Sequence, residues 1–207
     1  MIIKTLLVVA VVSSLFFVFR FVFFSFKTYE EPSYGLIKKT KAIEIRQYQT
    51  FNLASTDISA NKEQALSRGF RRLAGYIFGK NDKRQSMSMT VPVMLESHAS
   101  DWRVSFMLPR AYAFEALPRA DDTSIVLRTQ NQETFAVIRF SGRGQLKNFI
   151  EKRVVLEEFL TKNHCLNQGR VVYAFYNPPW TIPFLRRNEV WIELTKTCQF
   201  ESFKDEK

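Results

Sequence analysis

The predicted secondary structure of this chain repeats, and the repeat limits its fold more than any other feature of the sequence. Apolar residues that alternate or recur at helical spacing predict strand, strand, helix, strand, strand, and then the same five elements again roughly 80 to 90 residues later. In each copy a proline interrupts or ends the third strand, at Pro92 and at Pro178-Pro179, and the fourth strand carries a tryptophan, Trp102 or Trp191. Two equivalent units are expected to pack their sheets into one barrel-like core with the helices outside.

The periodicity also sets approximate bounds for these elements. The predicted first copy comprises strands 43–46 and 51–59, a helix over 61–79, and strands 87–95 and 102–108. The predicted second copy comprises strands 125–129 and 134–140, a helix over 142–163, and strands 171–176 and 189–195. In the first helix Leu66, Phe70, Leu73 and Ile77 recur at helical spacing and form an apolar face. The inner side of the second helix is predicted to carry Leu146, Phe149, Ile150, Leu156 and Leu160.

An apolar segment over residues 5–26 precedes the repeat and is interrupted only by Arg20. Its length is that of a membrane-spanning helix, and a charged side chain close to one end can reach the headgroups. A cleaved signal peptide is the alternative, but residues 25–27 offer no small-x-small cleavage site. We therefore expect residues 1–27 to form an uncleaved membrane anchor, with the folded domain outside the cytoplasm.

The remaining boundaries follow from local composition. Residues 28–40 are polar, contain proline and glycine, and are predicted to form a linker. The folded domain is then expected over residues 41–197, and residues 198–207 form a polar tail.

The net charge of +10 favours anionic partners or an anionic membrane surface. The basic residues are scattered and form no nucleic-acid motif, so we do not expect nucleic-acid binding.

The two cysteines, Cys165 and Cys198, have no zinc-site spacing, and they could pair if the domain lies outside the cytoplasm. No metal site is predicted.

The connection between the last two strands is unusual for its composition. The strand breaks at Asn177-Pro178-Pro179, the loop Trp180–Leu185 is rich in large apolar residues, and Arg186 and Arg187 follow. One interpretation is a hairpin loop that folds back onto the core. The other is the rim of a pocket for a flat, hydrophobic ligand bearing carboxylates, such as a porphyrin. Three arginines of the first helix could add cationic edges: Arg68, Arg71 and Arg72.

Signals for catalysis are weak. No nucleophile elbow, phosphate-binding loop or zinc-protease motif occurs. Glu189 and Glu193 flank Trp191 on one face of the last strand, where a general base is conceivable. An ion pair between Glu189 and Arg186 or Arg187 is the favoured interpretation, and the chain is not expected to be an enzyme.

An ordered series of short motifs spans almost the whole domain. They are Tyr34-Gly35, Ile43-Glu44-Ile45-Arg46-Gln47-Tyr48, Tyr76-Ile77-Phe78-Gly79-Lys80-Asn81, Met89-Thr90-Val91-Pro92-Val93, Phe106-Met107-Leu108-Pro109, Phe140-Ser141-Gly142, Tyr176-Asn177-Pro178-Pro179 and Arg186-Arg187-Asn188-Glu189-Val190. This series resembles the SOUL haem-binding protein family. The resemblance implies an α+β fold, a distorted antiparallel β-barrel of two pseudo-symmetric ββαββ repeats with two flanking helices. It also implies reversible binding of haem or another tetrapyrrole, for buffering or transport.

The same resemblance implies a site between the first helix and the Pro-Pro loop. The matching positions are Phe70, Leu73, Ala74 and Ile77 on the helix, and Trp180, Pro183, Phe184, Arg186 and Arg187 on the loop. Some members have an axial histidine where this chain has Gln47, and others have basic helix residues where it has Ser67 and Gly75. No strong axial protein ligand is therefore expected.

Two other functions remain open at this stage. The duplicated barrel also resembles the effector-binding domains of multidrug-responsive regulators, which would imply a pocket for other amphiphilic small molecules. A hydrolase that uses Glu189 is the weaker alternative.

Overall fold

The computed structural model describes residues 29–165 and 168–195. The predicted anchor over residues 1–27 and the predicted tail over 198–207 lie outside the described residues. Neither long helix in the described part has the length and apolarity needed to cross a bilayer. The described elements, in chain order, are β1 Tyr34–Thr40, β2 Ile43–Tyr48, β3 Phe51–Ile58, α1 Lys62–Ile77, β4 Val93–His98, β5 Asp101–Met107, β6 Ile125–Gln130, β7 Glu133–Phe140, α2 Leu146–Lys162, β8 Gln168–Phe175 and β9 Asn188–Leu194. Two short 3-10 turns occupy Phe114–Ala116 and Pro183–Leu185.

The nine strands form one antiparallel sheet in the order β1-β2-β7-β9-β8-β4-β5-β3-β6. This order forces the sheet to curl. β2 and β3 lie six positions apart, yet only Gln49 and Thr50 connect them, so the strand ends are at most ~11 Å apart. In a flat sheet the same separation would be ~29 Å. β6 and β7 are also six positions apart and joined by two residues, so the sheet is a curled half-barrel with open edges at β1 and β6.

The predicted repeat is visible in the strand order. Without β1, the strand order has an internal twofold symmetry. Exchanging β2, β3, β4 and β5 with β6, β7, β8 and β9, respectively, gives the same order read backwards. The two units meet at β4 and β8, and each unit contributes its first strand to the other unit's part of the sheet. The helices follow the same relation, since α1 packs on β3 and β5 while α2 packs on β7 and β9.

The first helix begins and ends where the sequence indicates. The Asn61 side chain accepts a hydrogen bond from the Gln64 amide at 3.0 Å, which caps the first turn. Gly79, with φ +103°, follows the C-cap as the left-handed residue that ends many helices.

In both helices the buried residues differ in part from the apolar residues that the sequence singles out. In α1 the buried residues are Ala65, Gly69, Leu73, Tyr76 and Ile77, whereas Phe70 is 39% exposed. Small residues lie innermost because they let the helix approach β5 closely: a Cβ atom on Gly69 would lie 2.5 Å from Cγ2 of Val104. In α2 the buried residues are Phe149, Leu156, Phe159 and Leu160, and Ile150 is 42% exposed.

Two predicted boundaries are wrong. The second half of the predicted linker over 28–40 is strand β1, a lysine-containing strand at the edge of the sheet. The strand predicted over 87–95 begins only at Val93, directly after Pro92, because proline cannot donate to the strand ladder.

Cys165 is buried and disulfide-bonded, and Cys198 lies outside the described residues.

The two faces of the sheet are both packed, with different contents. On β9, Val190 and Ile192 face the helices and belong to the larger core cluster. Trp191 points to the concave side, where a second cluster of buried side chains includes Tyr48, Phe135 and Val137. The Trp191 ring stacks on Tyr48 at a centroid distance of 4.6 Å. The cavity left inside the concave cluster is about 10 Å³, room for one water molecule at most.

Candidate functional site

The loop from β8 to β9, residues 176–187, leaves one end of the half-barrel and presents apolar side chains to solvent. Trp180 and Phe184 are 82% and 72% exposed, the highest values among the large hydrophobic side chains of the described part. Ile182 and Leu185 are 52% and 54% exposed. Of the two interpretations of this loop, a hairpin that folds back onto the core is therefore excluded.

This loop is nevertheless held in a defined conformation by hydrogen bonds. The Arg186 guanidinium donates to the carbonyl of Thr181 at 2.7 Å and to that of Pro179. The carbonyl of Pro183 accepts a bond from the Gly142 amide at 2.8 Å, which fastens the loop beside the connection between β7 and α2. The exposure of Trp180 and Phe184 is thus imposed by a braced backbone.

Directly behind the loop, the carboxylate of Glu189 is completely buried and receives hydrogen bonds from four side chains. Arg46 donates to both carboxylate oxygens, at 3.0 and 3.3 Å, and Arg187 donates at 2.9 Å. The Tyr176 hydroxyl and the Trp191 indole add bonds of 2.9 and 2.8 Å. The predicted ion pair with Arg187 is confirmed, whereas Arg186 bonds to loop carbonyls. Arg46, which lies 143 residues away in sequence, was not predicted as a partner.

The electrostatics of Glu189 indicate a structural role. Burial acts to raise the pKa of this carboxyl, but the charges of Arg46 and Arg187, with the hydrogen bonds from Arg46 and Trp191, outweigh it and lower the pKa. A general base needs a free lone pair within reach of substrate and a pKa near the working pH. Glu189 has neither, because it is enclosed and its oxygens are engaged. The structure therefore does not favour a hydrolase that uses Glu189.

A cleft of about 660 Å³ lies between the loop and the β1–β2 hairpin. Its walls combine apolar or aromatic side chains with six basic and two acidic ones, an excess of positive charge. The lining residues are Glu31, Tyr34, Lys39, Lys41, Ala42, Glu44, Arg46, Arg139, Phe140, Ser141, Phe184, Leu185, Arg186 and Arg187.

The inner cations of this cleft are neutralised by carboxylates. Arg46 lies 2.7 Å from Glu44, and Arg187 lies 2.8 Å from Glu31. Lys39 pairs with Glu44 at 2.9 Å but is 59% exposed. Lys41 and Arg139 are exposed at the outer rim. The inner cations of the cleft thus lie buried or half-buried beside carboxylates, and the basic side chains at its outer rim are exposed to solvent.

The structure brings only part of the sequence-predicted site together. Phe184, Arg186 and Arg187 line the cleft, Pro183 begins the turn that carries Phe184, and Trp180 extends from the loop tip. Among the described residues, no hydrogen bond, ion pair or ring contact joins this loop to α1.

The helix residues of the predicted site have different environments. Leu73 and Ile77 are buried in the core, and Ala74 packs against it. Phe70 contacts the ring of Phe106 edge to face at 5.2 Å and keeps part of its surface in solvent. Of these four residues, Phe70 is the one with a large side chain available to a ligand.

The helix arginines also lie elsewhere. Arg68, Arg71 and Arg72 line a shallow polar depression beside residues 57–59, and Arg72 is 3.1 Å from Asp122. They do not line the cleft beside the loop.

Sequence reasoning missed the second wall of the cleft. Tyr34, Lys39 and Lys41 fell in or beside the predicted linker, so they were not considered as site residues. The turn at Lys41-Ala42, where Lys41 has a positive φ of 48°, joins β1 to β2, but the polar residues Lys38, Lys39 and Thr40 before it hid the first of these strands. Arg139 had no distinguishing pattern, since it is one exposed cation on a strand.

Metal ligation has no support in the described residues. His98 and His164 are both exposed, and no cluster of three or more metal-ligating side chains occurs in residues 29–165 and 168–195.

These features define a duplicated, curled half-barrel with an amphipathic, cation-rimmed cleft beside its last hairpin loop. The sequence profile described as "SOUL heme-binding protein" matches residues 29–193, and the chain belongs to this family. The chain is 27% identical to "Heme-binding protein 1" of Xenopus laevis, over 72% of this chain and 82% of that protein. It is 28% identical to "Heme-binding protein 2" of Homo sapiens, over 72% of this chain and 76% of that protein.

Solved structures show the same fold at very low sequence identity. The C-terminal domain of EcmrR superposes with a TM-score of 0.59 at 8% identity, covering 74% of this chain and 97% of that domain. A hydrolase from Listeria innocua superposes with a TM-score of 0.51 at 10% identity, covering 77% and 94% of the two chains. These similarities concern the fold alone.

Proposed function

We propose that this chain binds haem reversibly and serves in haem buffering or transport, without catalysing a reaction. Membership of the SOUL family and the names of the two relatives support the choice of ligand. The observation that carries the proposal is the cleft beside the loop, because it combines exposed aromatic surface with an excess of cations.

The cleft fits a porphyrin in size and in charge. Its volume of about 660 Å³ lies within the range of ~300 to 1,000 Å³ that is typical of small-molecule sites. Phe184, Leu185 and Phe140 offer apolar surface to a flat ring. The outer cations Lys41 and Arg139 are placed to bind carboxylates, which suits the two propionates of haem.

Iron coordination contributes little in this proposal. The lining residues of the cleft include no histidine, cysteine or methionine, and Gln47 lies exposed on β2. Tyr34 is the one lining residue of a type that ligates haem iron in other proteins. Binding is then dominated by apolar contact and by charge, which allows release of the ligand.

The test is a titration of the full chain with haemin, followed by the Soret band. Saturable binding is expected, and Phe184→Ala should weaken it about tenfold, the equivalent of ~1.4 kcal/mol for an aromatic contact. Arg139→Gln should weaken it by a smaller factor that disappears at high salt, since its contribution is electrostatic. Absence of saturable binding would exclude the proposed function.

A matched variant separates the two possible positions of the ligand. Phe70→Ala removes the exposed aromatic side chain of α1 and should leave haemin affinity unchanged if the cleft holds the ligand. If Phe70→Ala weakens binding and Phe184→Ala does not, the ligand lies on the helix. The Tyr34→Phe variant should keep the Soret maximum of the wild-type complex if no phenolate ligates the iron.

A further inference from the structure

The exposed apolar residues of the β8–β9 loop form one continuous tip. Trp180, Ile182, Phe184 and Leu185 lie within six residues and are each more than half exposed. Such a cluster is unfavourable in water, because apolar surface that stays exposed gains none of the free energy of burial. Exposed clusters of this kind mark surfaces that bind a partner or a membrane.

Rigidity distinguishes this tip from a loop that is merely disordered. The Arg186 side chain closes the loop through the carbonyls of Thr181 and Pro179, and the Arg187 amide donates to Asn177 at 2.6 Å. Two prolines and the short turn Pro183–Leu185 stiffen the remainder. A braced loop keeps its apolar side chains extended and loses little conformational entropy when they are buried.

Cations surround this tip and match it to an anionic surface. Arg139 and Arg143 are exposed on either side of Gly142, whose amide is bonded to the loop. Lys39 and Lys41 extend from the facing hairpin. Basic side chains near an anionic bilayer strengthen binding electrostatically, and this contribution weakens at high salt. Tryptophan with neighbouring aliphatic residues is the composition that partitions into the headgroup region.

The start of the folded domain lies at the same end of the molecule. Glu31 pairs with Arg187 at 2.8 Å, and the Val91 amide donates to the carbonyl of Glu30 at 2.9 Å. The apolar segment over residues 5–26 ends only two residues before Tyr29, a link of ~11 Å at full extension. If that segment is in a bilayer, this end of the domain lies against the bilayer surface.

We propose that the β8–β9 loop docks this end of the domain on an anionic phospholipid bilayer, with Trp180 and Ile182 inserted at the headgroup level. This interaction requires no haem, although Lys41 and Arg139 belong both to the rim of the proposed haem cleft and to the surface that faces the lipid. It gives the loop two surfaces: Trp180 and Ile182 at its tip toward the lipid, and Phe184 and Leu185 between the lipid and the cleft.

The test places the full chain in vesicles and follows the fluorescence of Trp180. Vesicles of phosphatidylcholine, with or without phosphatidylserine, carry brominated acyl chains that quench nearby indoles. The difference between wild type and Trp180→Phe isolates Trp180 from Trp102 and Trp191. We expect this difference spectrum to be quenched by the brominated lipid and protected from iodide, more strongly with phosphatidylserine and at low salt.

Two controls make the result specific. Trp102→Phe should retain the full quenching effect, because Trp102 lies on β5 away from the loop. The double variant Lys41→Gln/Arg139→Gln should lose the dependence on phosphatidylserine. Because Trp180 is 82% exposed, Trp180→Phe should fold normally. The proposal would be overturned if vesicles left the access of iodide to Trp180 unchanged. It would also be overturned if Trp180 became protected without lipid as the protein concentration rose, because that result would indicate self-association.

Discussion

Glu189 shows how far a single residue can be interpreted from the sequence. Its place on the last strand, on the same face as Trp191, followed from the alternation of that strand. Its pairing with a nearby preceding arginine was also predicted. Arg46 donates from β2, and no local pattern connects two residues 143 positions apart. Only the strand order, which sets β7 between β2 and β9, brings them together.

Removing the charge of Glu189 should destabilise the domain strongly. In Glu189→Gln, the new amide group is itself a donor and would face the donors of Arg46 or Tyr176. Arg46, which is only 3% exposed, would also lose the buried negative charge of Glu189. Breaking one side of a buried ion pair costs about 3 to 5 kcal/mol. Urea denaturation of the variant and the wild type would measure this difference in the free energy of unfolding.

An exposed carboxylate provides the matched control for that experiment. Asp121 pairs with Arg84 at 2.8 Å, and the two side chains are 41% and 77% exposed. Asp121→Asn makes the same chemical change in solvent and should cost less than about 1 kcal/mol. Equal effects of the two substitutions would mean that the buried cluster does not stabilise the fold.

At the scale of elements, helix α1 shows why its existence was predictable and its orientation was not. Helical spacing, the Asn61 cap and Gly79 define the helix from sequence alone. The prediction grouped Phe70 with Leu66, Leu73 and Ile77 on one apolar face of the helix. The helix is instead rotated so that Ala65 and Gly69 lie against the sheet, because close approach to β5 buries more of the helix backbone surface.

The two glycines of α1 should therefore respond oppositely to alanine. At Gly69 an added Cβ would overlap Val104, and we expect Gly69→Ala to destabilise by about 1 to 3 kcal/mol despite its better helix propensity. At Gly75 the nearest atom is the flexible Lys80 Cδ at 3.2 Å, so Gly75→Ala should stabilise by up to about 1 kcal/mol. Thermal unfolding of both variants gives the comparison.

A double variant identifies the cause of the Gly69 effect. Val104→Ala alone should destabilise by creating a cavity, but combined with Gly69→Ala it should cost less than the sum of the single changes. Strict additivity would contradict the proposed overlap.

Of the candidate site, the part encoded by neighbouring residues could be predicted, and the part that depends on distant strands could not. The exposed loop, its apolar composition and Arg187 could be predicted, because proline, aromatic residues and paired arginines are adjacent in sequence. The wall of the cleft opposite the loop could not be predicted. Strand β1 is polar enough to resemble a linker, and it lies near the loop only because the sheet curls.

For the whole molecule, the duplication was the most informative signal, and it predicted two ββαββ units correctly. It gave no indication that each unit lends its first strand to the other, because the exchange depends on pairings such as Ile43 with Ile138 and Thr56 with Ile125. It also did not distinguish a closed barrel from the open half-barrel. The short links after Tyr48 and Gln130 could have shown the curl, once the strand order was known.

Three carboxylates of the sheet have a lowered pKa in the folded domain, so the stability of the whole domain should depend on acid pH. Burial acts to raise the pKa of Glu189, but its basic partners Arg46 and Arg187 outweigh this effect and lower it. The pKa of Glu44 is also lowered against the effect of burial, by Lys39 and Arg46. The pKa of Asp57 is lowered chiefly by its hydrogen bond from Arg103. Each group is ionised in the folded state at a pH where the unfolded chain already binds a proton. Their stabilising contribution is thus complete above the ordinary carboxyl values of 4.5 and 3.8 and is lost as the pH falls through the lower folded values.

We expect the free energy of unfolding to decrease steadily below about pH 4.5, with Glu189 alone contributing up to ~1.4 kcal/mol per pH unit. Chemical denaturation from neutral pH to pH 3 would measure the slope, with Glu189→Gln as the reference. Because glutamine does not titrate, the variant should show the shallower slope, and its deficit relative to wild type should shrink toward acid pH. Parallel curves for the two proteins would contradict the assignment of this acid sensitivity to the Arg46–Glu189–Arg187 cluster.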